Sequence, residues 1–167
     1  MATIFGDNLK STGQPIGNVG FNHARLRRTS TRYPVGGLVS SIGDVFPVAV
    51  LKSSDRVHHI AMARTASTLG SASVGVWNAS FSGGVFSLGP VVNDSLFRTS
   101  VAITAAALAP GTTMIASLPV GLLGLPLWQQ LGLTSDPGLS YVIGMSVTAA
   151  ITGTAEAFFT VDYVAGD

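Results

Sequence analysis

Two segments near the end of the chain alternate apolar residues with small or polar ones, and this alternation constrains the fold more than any other feature. In residues 141–149 the apolar positions are Tyr141, Ile143, Met145, Val147 and Ala149. In residues 155–164 they are Ala157, Phe159, Val161 and Tyr163. A period of two places alternate side chains on opposite faces of a strand. The pattern therefore predicts two antiparallel strands, each with one buried face.

The rest of the chain from residue 38 onward is also typical of strands. Segments rich in β-branched residues lie at 45–51, 57–65, 73–77 and 85–92, and turn residues at 53–55, 69–71 and 82–84 separate them. Strands at this spacing predict an all-β protein, an antiparallel β-sandwich of jelly-roll type.

One or two short helices interrupt the predicted strands. Residues 126–132 have Pro126 in the first turn and Gly132 at the C-terminal stop, which indicates a short helix. Residues 94–98 fit the start of a second helix with Asp94 as its N-cap, and residues 99–108 either extend that helix or return to strand.

The charges divide the chain into two parts. Residues 1–37 carry five basic side chains against one acidic, while residues 38–167 carry four basic and seven acidic ones. Charged residues make up only 10% of the chain, against about 25% in typical domains. Such a weakly charged surface is typical of a protein that is buried in an assembly. We therefore predict an extended basic N-terminal arm at 1–37, attached to a β-sandwich domain at 38–167.

The arm is punctuated by glycine and proline, and its charge is concentrated in Arg25, Arg27, Arg28 and Arg32. Arginines in such a cluster bind the carboxylates of another protein or the phosphates of a nucleic acid, or they remain a solvated basic turn. The arm lacks the interleaved aromatic residues of a stacking surface, so we do not predict a nucleic acid as its partner. Docking on protein and a solvated turn both remain open, and we take the four arginines as the candidate docking residues.

The stretch between Arg98 and Asp136 has no ionisable side chain. Prolines and glycines interrupt it before any apolar run reaches the roughly 20 residues that a membrane-spanning helix needs, so no membrane partner is predicted. Its most apolar part, residues 118–125, is difficult to bury in a small sandwich and is a candidate subunit interface. The candidate interface residues are Leu118, Val120, Leu122, Leu123 and Leu125.

The sequence points to no catalytic, cofactor-binding or metal-binding residues. It has no cysteine, a single glutamate and none of the common nucleophile or phosphate-loop motifs. Adjacent strand residues point to opposite faces, so we expect one of His58 and His59 to be packed or hydrogen-bonded inward and the other to lie on the surface. Trp77 fits either the core or an interface, and with Phe81 and Phe86 it forms the one local aromatic cluster.

Several segments together resemble a known family of proteins. They are the opening residues 1–8, the Arg-rich end of the arm, residues 43–45, residues 126–133, residues 136–138 and residues 161–164. In these the chain is similar to small virion structural proteins of tailed bacteriophages, of the capsid cement or decoration type. The resemblance implies a β-sandwich that binds the major capsid protein on the outer surface of a capsid lattice, commonly as a homotrimer.

From these observations we predict a structural, non-enzymatic virion protein that stabilises a phage capsid lattice. The alternative is a β-sandwich module of a phage tail or fibre that binds a carbohydrate or a receptor through exposed aromatic residues.

Overall fold

The residues described by the computed structural model form eight antiparallel strands, arranged in two four-stranded sheets. The structure describes residues 26–34, 40–65, 69–83, 85–102, 108–152 and 156–166. The strands are β1 (Leu26–Tyr33), β2 (Val45–Lys52), β3 (Arg56–Arg64), β4 (Leu69–Ser82), β5 (Val85–Ala102), β6 (Leu108–Thr113), β7 (Ser140–Thr152) and β8 (Ala157–Val164). A 3₁₀ turn (Val120–Leu122) and a short helix, α1 (Leu127–Gln130), lie between β6 and β7.

The strand pairing is that of a jelly roll. The first strand pairs with the last, β2 with β7, β3 with β6 and β4 with β5, so the pairs are nested as in one long hairpin. This hairpin is rolled into two sheets with the orders β1-β8-β3-β6 and β2-β7-β4-β5. Eight strands in two packed sheets with this pairing define the jelly-roll type of β-sandwich, and the predicted fold class is confirmed.

The alternating segments at the end of the chain fill the core between the sheets. Ile143 and Met145 of β7 and Phe159 and Val161 of β8 are at most 1% exposed, as their period of two predicts. Ala149 is an exception and is exposed, because it lies where the register between β7 and β4 shifts.

The first strand corrects the predicted arm. Residues 26–33 form β1, which pairs with β8 along its whole length. Thr31 and Tyr33 are at most 1% exposed, and the Tyr33 ring packs edge-on against Phe46 and Phe159, with centroids 5.1 and 6.1 Å away. The Tyr33 hydroxyl donates a hydrogen bond of 2.6 Å to the carbonyl of Pro47. The sandwich therefore includes residues 26–33, and the part of the predicted arm at 1–25 lies outside the described residues.

The hairpin of β4 and β5 is longer than the sequence predicts. Its strands have 14 and 18 residues.

The prediction of a helix at 94–98 is wrong. These residues lie in β5, where its pairing with β4 shifts, and Phe97 is fully buried there. Burial of an aromatic side chain in the core outweighs the local preference for an N-cap. Since β7 begins at Ser140 and Asn78 pairs with Tyr141, residues 80–83 and 85–87 project beyond β7.

The predicted helix at 126–132 is confirmed as α1, which is followed by Gly132 with a φ of 75°. Gln130 at its end is 3% exposed and donates its amide Nε2 to the carbonyls of Val57, Leu122 and Leu125 at 3.0–3.3 Å. These hydrogen bonds connect residues 120–125 to β3.

Among the described residues, no helix has the length and apolar character needed to cross a membrane.

Candidate assembly surfaces

Two of the four predicted docking arginines, Arg28 and Arg32, form ion pairs with acidic side chains. Arg28 lies opposite Asp162, and Asp162 lies opposite His59, so the three form a row across β1, β8 and β3. The Arg28 guanidinium donates two hydrogen bonds to the Asp162 carboxylate, at 2.6 and 2.8 Å. His59 Nδ1 lies 3.7 Å from the same carboxylate. The hydrogen bonds from Arg28 hold the pKa of Asp162 below its usual range.

The other arginines differ in their surroundings. Arg32 pairs with Glu156 at 2.6 Å, Arg27 is half-buried, and Arg25 lies outside the described residues. Sequence reasoning missed the two acidic partners, Asp162 and Glu156. With β1 counted in the sandwich, residues 26–167 contain seven basic and seven acidic side chains, so this part of the chain is neutral. The side chain of Arg28 is still 66% exposed, and the docking role of the arginines stays a prediction.

We expect the Asp162→Asn variant to unfold a few degrees below the wild type at neutral pH. The folded-state pKa of Asp162 is lowered, so its ionised form contributes stability above the ordinary carboxyl pKa. That stability is lost as the pH falls through the folded-state pKa. Thermal unfolding between pH 7 and pH 2 should therefore show the two proteins converging in acid. A constant difference across this range would contradict the assigned ion pair.

The five candidate interface residues at 118–125 differ in their exposure to solvent. Leu118 is 5% exposed and lies in the core of its own chain. Its burial therefore does not support a role in a subunit interface. Leu122 and Leu125 are half-buried. Val120 and Leu123 are 84% and 41% exposed, and they remain the accessible part of the predicted interface.

A second apolar layer lies on the outer face of the sheet β2-β7-β4-β5. A cross-strand row runs across all four strands, because Val50 pairs with Val142, Val142 with Trp77, and Trp77 with Val91. The two neighbouring cross-strand pairs of the β4–β5 hairpin continue it, and we call these eight residues the outer strip. Its members are Val50, Trp77, Ala79, Phe81, Phe86, Leu88, Val91 and Val142.

The outer strip is buried at its centre and exposed at the hairpin. Trp77 is 2% exposed, and its ring lies over Gly144, where an added Cβ atom would be 3.1 Å from Trp77 Cζ3. Phe81 and Val91 are 41% and 57% exposed. The rings of Phe81 and Phe86 have centroids 5.8 Å apart. The buried residues Val45, Trp77 and Val142 form a small second core. The strip therefore connects this second core to an accessible apolar surface.

This outer face differs from the usual face of an antiparallel sandwich, which is polar where it meets water. No ionisable residue occurs from residue 65 to residue 93. The signal was present in the sequence, because Val142 and Trp77 are out of phase with the inward-facing residues of their strands. Strands that are apolar on both faces indicate burial on both faces.

The histidine pair lies at a β-bulge between Val57 and His59. His58 is exposed beside Gly124, and His59 is half-buried next to Asp162. His58 therefore lies on the surface, as expected for one of the pair, whereas His59 contacts Asp162 instead of pointing into the core, because the bulge shifts the alternation at this point. Within the described ranges, no three His, Asp or Glu side chains are grouped so that they could hold a metal ion.

Comparison with solved structures gives a match along the whole chain. No protein-family model and no curated protein matches the sequence. The fold is similar to a chain in the capsid of Ralstonia phage GP4, with a TM-score of 0.63 and 12% identity over 99% of each chain. A chain in the capsid asymmetric unit of cyanophage Pam1 has a TM-score of 0.46 and 14% identity, over 89% of this chain and 90% of that one. At 12% identity, the first match shows a shared fold.

Proposed function

We propose that this chain is a structural, non-catalytic protein of a phage virion, which binds the outside of the capsid lattice as a cement or decoration protein. The observation that carries the proposal is the end-to-end match of its jelly roll to a chain in the Ralstonia phage GP4 capsid. Both chains are covered almost completely, so the shared unit is the full length of both chains and not a common subdomain. Since a fold hosts many functions, the surfaces must support the assignment as well.

The surface of the sandwich fits a protein that works in an assembly. Residues 26–167 are neutral, and charged residues are sparse. A surface with so little charge is poorly protected from association in free solution. Contiguous apolar surface on a folded protein marks interaction sites, and here it includes the outer strip and the exposed Val120 and Leu123.

On the lattice, many copies would each make a modest contact with the major capsid protein. Linked copies bind with an avidity that exceeds the affinity of any one contact, which suits a homotrimer on a repeating surface. Residues 1–25, which include Arg25, would extend from the edge strand β1 towards a neighbouring subunit. The exposed guanidinium of Arg28 lies on the same strand and would add a charged contact to an acidic partner surface.

The alternative function, a carbohydrate-binding module, is not supported by the position of Trp77. Stacking on a sugar needs an exposed aromatic face, and Trp77 is 2% exposed. Of the predicted aromatic cluster, Phe81 and Phe86 remain, and they contact each other. We therefore do not propose this function.

Immunogold labelling of intact particles of the phage that encodes the chain tests the proposed location. Antibodies against the folded protein should label the whole head, because a lattice-bound protein is distributed over it. Label confined to the tail or its fibres, or absent from particles that contain the major capsid protein, would overturn the proposal. Antibodies against the major capsid protein serve as the control for access to the head surface.

A further inference from the structure

A groove of about 230 Å³ lies on the outer face of the sheet β1-β8-β3-β6, and we call it the β8 groove. Three cross-strand pairs of β3 and β8 follow its length, namely His59 with Asp162, Ala61 with Thr160 and Ala63 with Phe158. Since a strand rises about 3.4 Å per residue, Asp162 and Phe158 are about 14 Å apart along β8. The groove therefore has a charged end and an aromatic end.

We infer that the β8 groove binds an acidic side chain of a protein partner, with the carboxylate on Arg28 and an apolar side chain of the same segment beside Phe158. This inference deepens the proposed function, because it rests on a partner in the lattice and names the chemistry of the contact. It concerns binding by the isolated protein, whereas the proposed function concerns the location in the particle. Failure of one is therefore distinguishable from failure of the other.

Arg28 has hydrogen-bonding capacity that its ion pair does not use. Its Nε and Nη2 donate to Asp162, and among the described residues its Nη1 has no acceptor. The edge formed by Nη1 and Nη2 is a second fork that matches the two oxygens of a carboxylate. The side chain of Arg28 is 66% exposed and that of Asp162 is 10% exposed. The acid of the pair is therefore covered, while its arginine is accessible to a second carboxylate.

The charges around the β8 groove favour an anion. Cross-strand partners share a face of their sheet, so Arg56, which pairs with Val164 in the row next to Arg28, lies on the same face and is exposed. With Arg28 and Arg32, this face has three arginines against the two acids that form their ion pairs. One positive charge remains in excess, and His59 adds a second when it is protonated.

The rest of the β8 groove is apolar. Ala61, Ala63 and Gly111 line it, and each has at most one side-chain carbon, so they leave room beside the larger Phe158. The Phe158 side chain is 43% exposed, although it is a large apolar group. An apolar side chain that packs against this ring and the alanines removes apolar surface from water, which stabilises the bound state.

The size of the β8 groove selects side chains of a protein segment. Pockets for small molecules have volumes of about 300–1,000 Å³, and this groove is smaller. In an extended segment, alternate side chains lie on one face about 7 Å apart. An acidic residue and an apolar residue two positions away therefore enter the groove together, the first beside Arg28 and the second next to Phe158.

The test titrates the full-length protein with two synthetic peptides, acetyl-Leu-Ser-Glu-amide and acetyl-Leu-Ser-Gln-amide. The second replaces the carboxylate by a neutral amide of the same shape. Two-dimensional ¹H–¹⁵N NMR spectra should show saturable shifts of the Ala61, Ala63 and Gly111 amides with the Glu peptide in the millimolar range. The Gln peptide should bind about tenfold more weakly, because hydrogen bonds to a charged group are the stronger ones.

Two variants separate the charged end from the apolar floor. Arg28→Gln should weaken binding of the Glu peptide about tenfold and leave that of the Gln peptide unchanged. Ala63→Leu fills the floor without changing the ion pair, and it should abolish binding of both peptides. The matched control is Ala149→Leu at an exposed position of β7 in the other sheet, which should bind as the wild type does. Circular dichroism should show the same strand content in all four proteins.

Four results would overturn the inference. The Glu peptide could give no saturable shifts of these amides. The Glu and Gln peptides could bind equally, which would mean that Arg28 does not select a carboxylate. Ala63→Leu could bind the Glu peptide as the wild type does, which would place the peptide elsewhere. Inorganic phosphate could give the same shifts at a lower concentration than the Glu peptide, which would make the groove a phosphate site.

Discussion

A chain that begins at Leu26 should fold, and a chain that begins at Pro34 should not. The second truncation removes β1, which covers one edge of β8 along eight residue pairs. It also removes Tyr33 from between Phe46 and Phe159. Loss of one large buried aromatic side chain costs about 3–5 kcal/mol, and a domain has only about 5–15 kcal/mol of net stability. Loss of a whole strand therefore exceeds what the sandwich can sustain.

Far-ultraviolet circular dichroism and urea unfolding of the two truncated proteins measure this difference. Two point variants refine the comparison. Tyr33→Ala should lower the free energy of unfolding by about 3–5 kcal/mol, and Tyr33→Phe, which keeps the ring and loses the hydrogen bond to Pro47, by about 1 kcal/mol. If the protein that begins at Pro34 unfolds cooperatively with the wild-type midpoint, β1 is not part of the stable sandwich and the predicted arm would extend to residue 37 after all.

The Trp77→Ala variant should lose about 3–5 kcal/mol of unfolding free energy, although Trp77 lies on the outer face of its sheet. The reason is its burial against Val45, Val142 and the open backbone of Gly144. Phe81→Ala is the matched control on the same strand and the same face. Its side chain is 41% exposed, so its replacement should cost about 1 kcal/mol or less.

Chemical denaturation monitored by circular dichroism suits both variants, because removal of Trp77 changes the fluorescence of the chain. A cost below 1 kcal/mol for Trp77→Ala would mean that this ring is accessible in solution. That result would return Trp77 to the aromatic surface required by a carbohydrate-binding module, and it would remove the second core from this account.

The sequence predicts those strands best whose two faces differ in polarity. The buried positions of β8 could be predicted residue by residue, because Phe159 and Val161 alternate with Thr160 and Asp162. The first strand was not predicted, although Thr29, Thr31 and Tyr33 also alternate with polar residues. Its outward positions are Leu26, Arg28, Ser30 and Arg32, and by sequence alone this charge pattern indicates a solvated arm. Charged outward positions are equally typical of an edge strand.

The surfaces were harder to predict because they depend on long-range register. Arg28 and Asp162 are 134 residues apart in the chain, and only the pairing of β1 with β8 brings them together. Burial of Leu118 likewise depends on how the segment between β6 and β7 packs against the core. The outer strip is assembled from four strands, so no single segment of sequence contains enough of it to indicate a surface.

The ratio of this protein to the major capsid protein in purified particles tests the central claim most directly. Quantitative mass spectrometry of intact virions, with isotope-labelled peptides of both proteins as standards, gives this ratio. A lattice-bound cement or decoration protein should be present in a fixed ratio to the major capsid protein, at a copy number that scales with the number of lattice positions. Copies limited to the number of tails or fibres, or a protein absent from purified virions, would contradict the account.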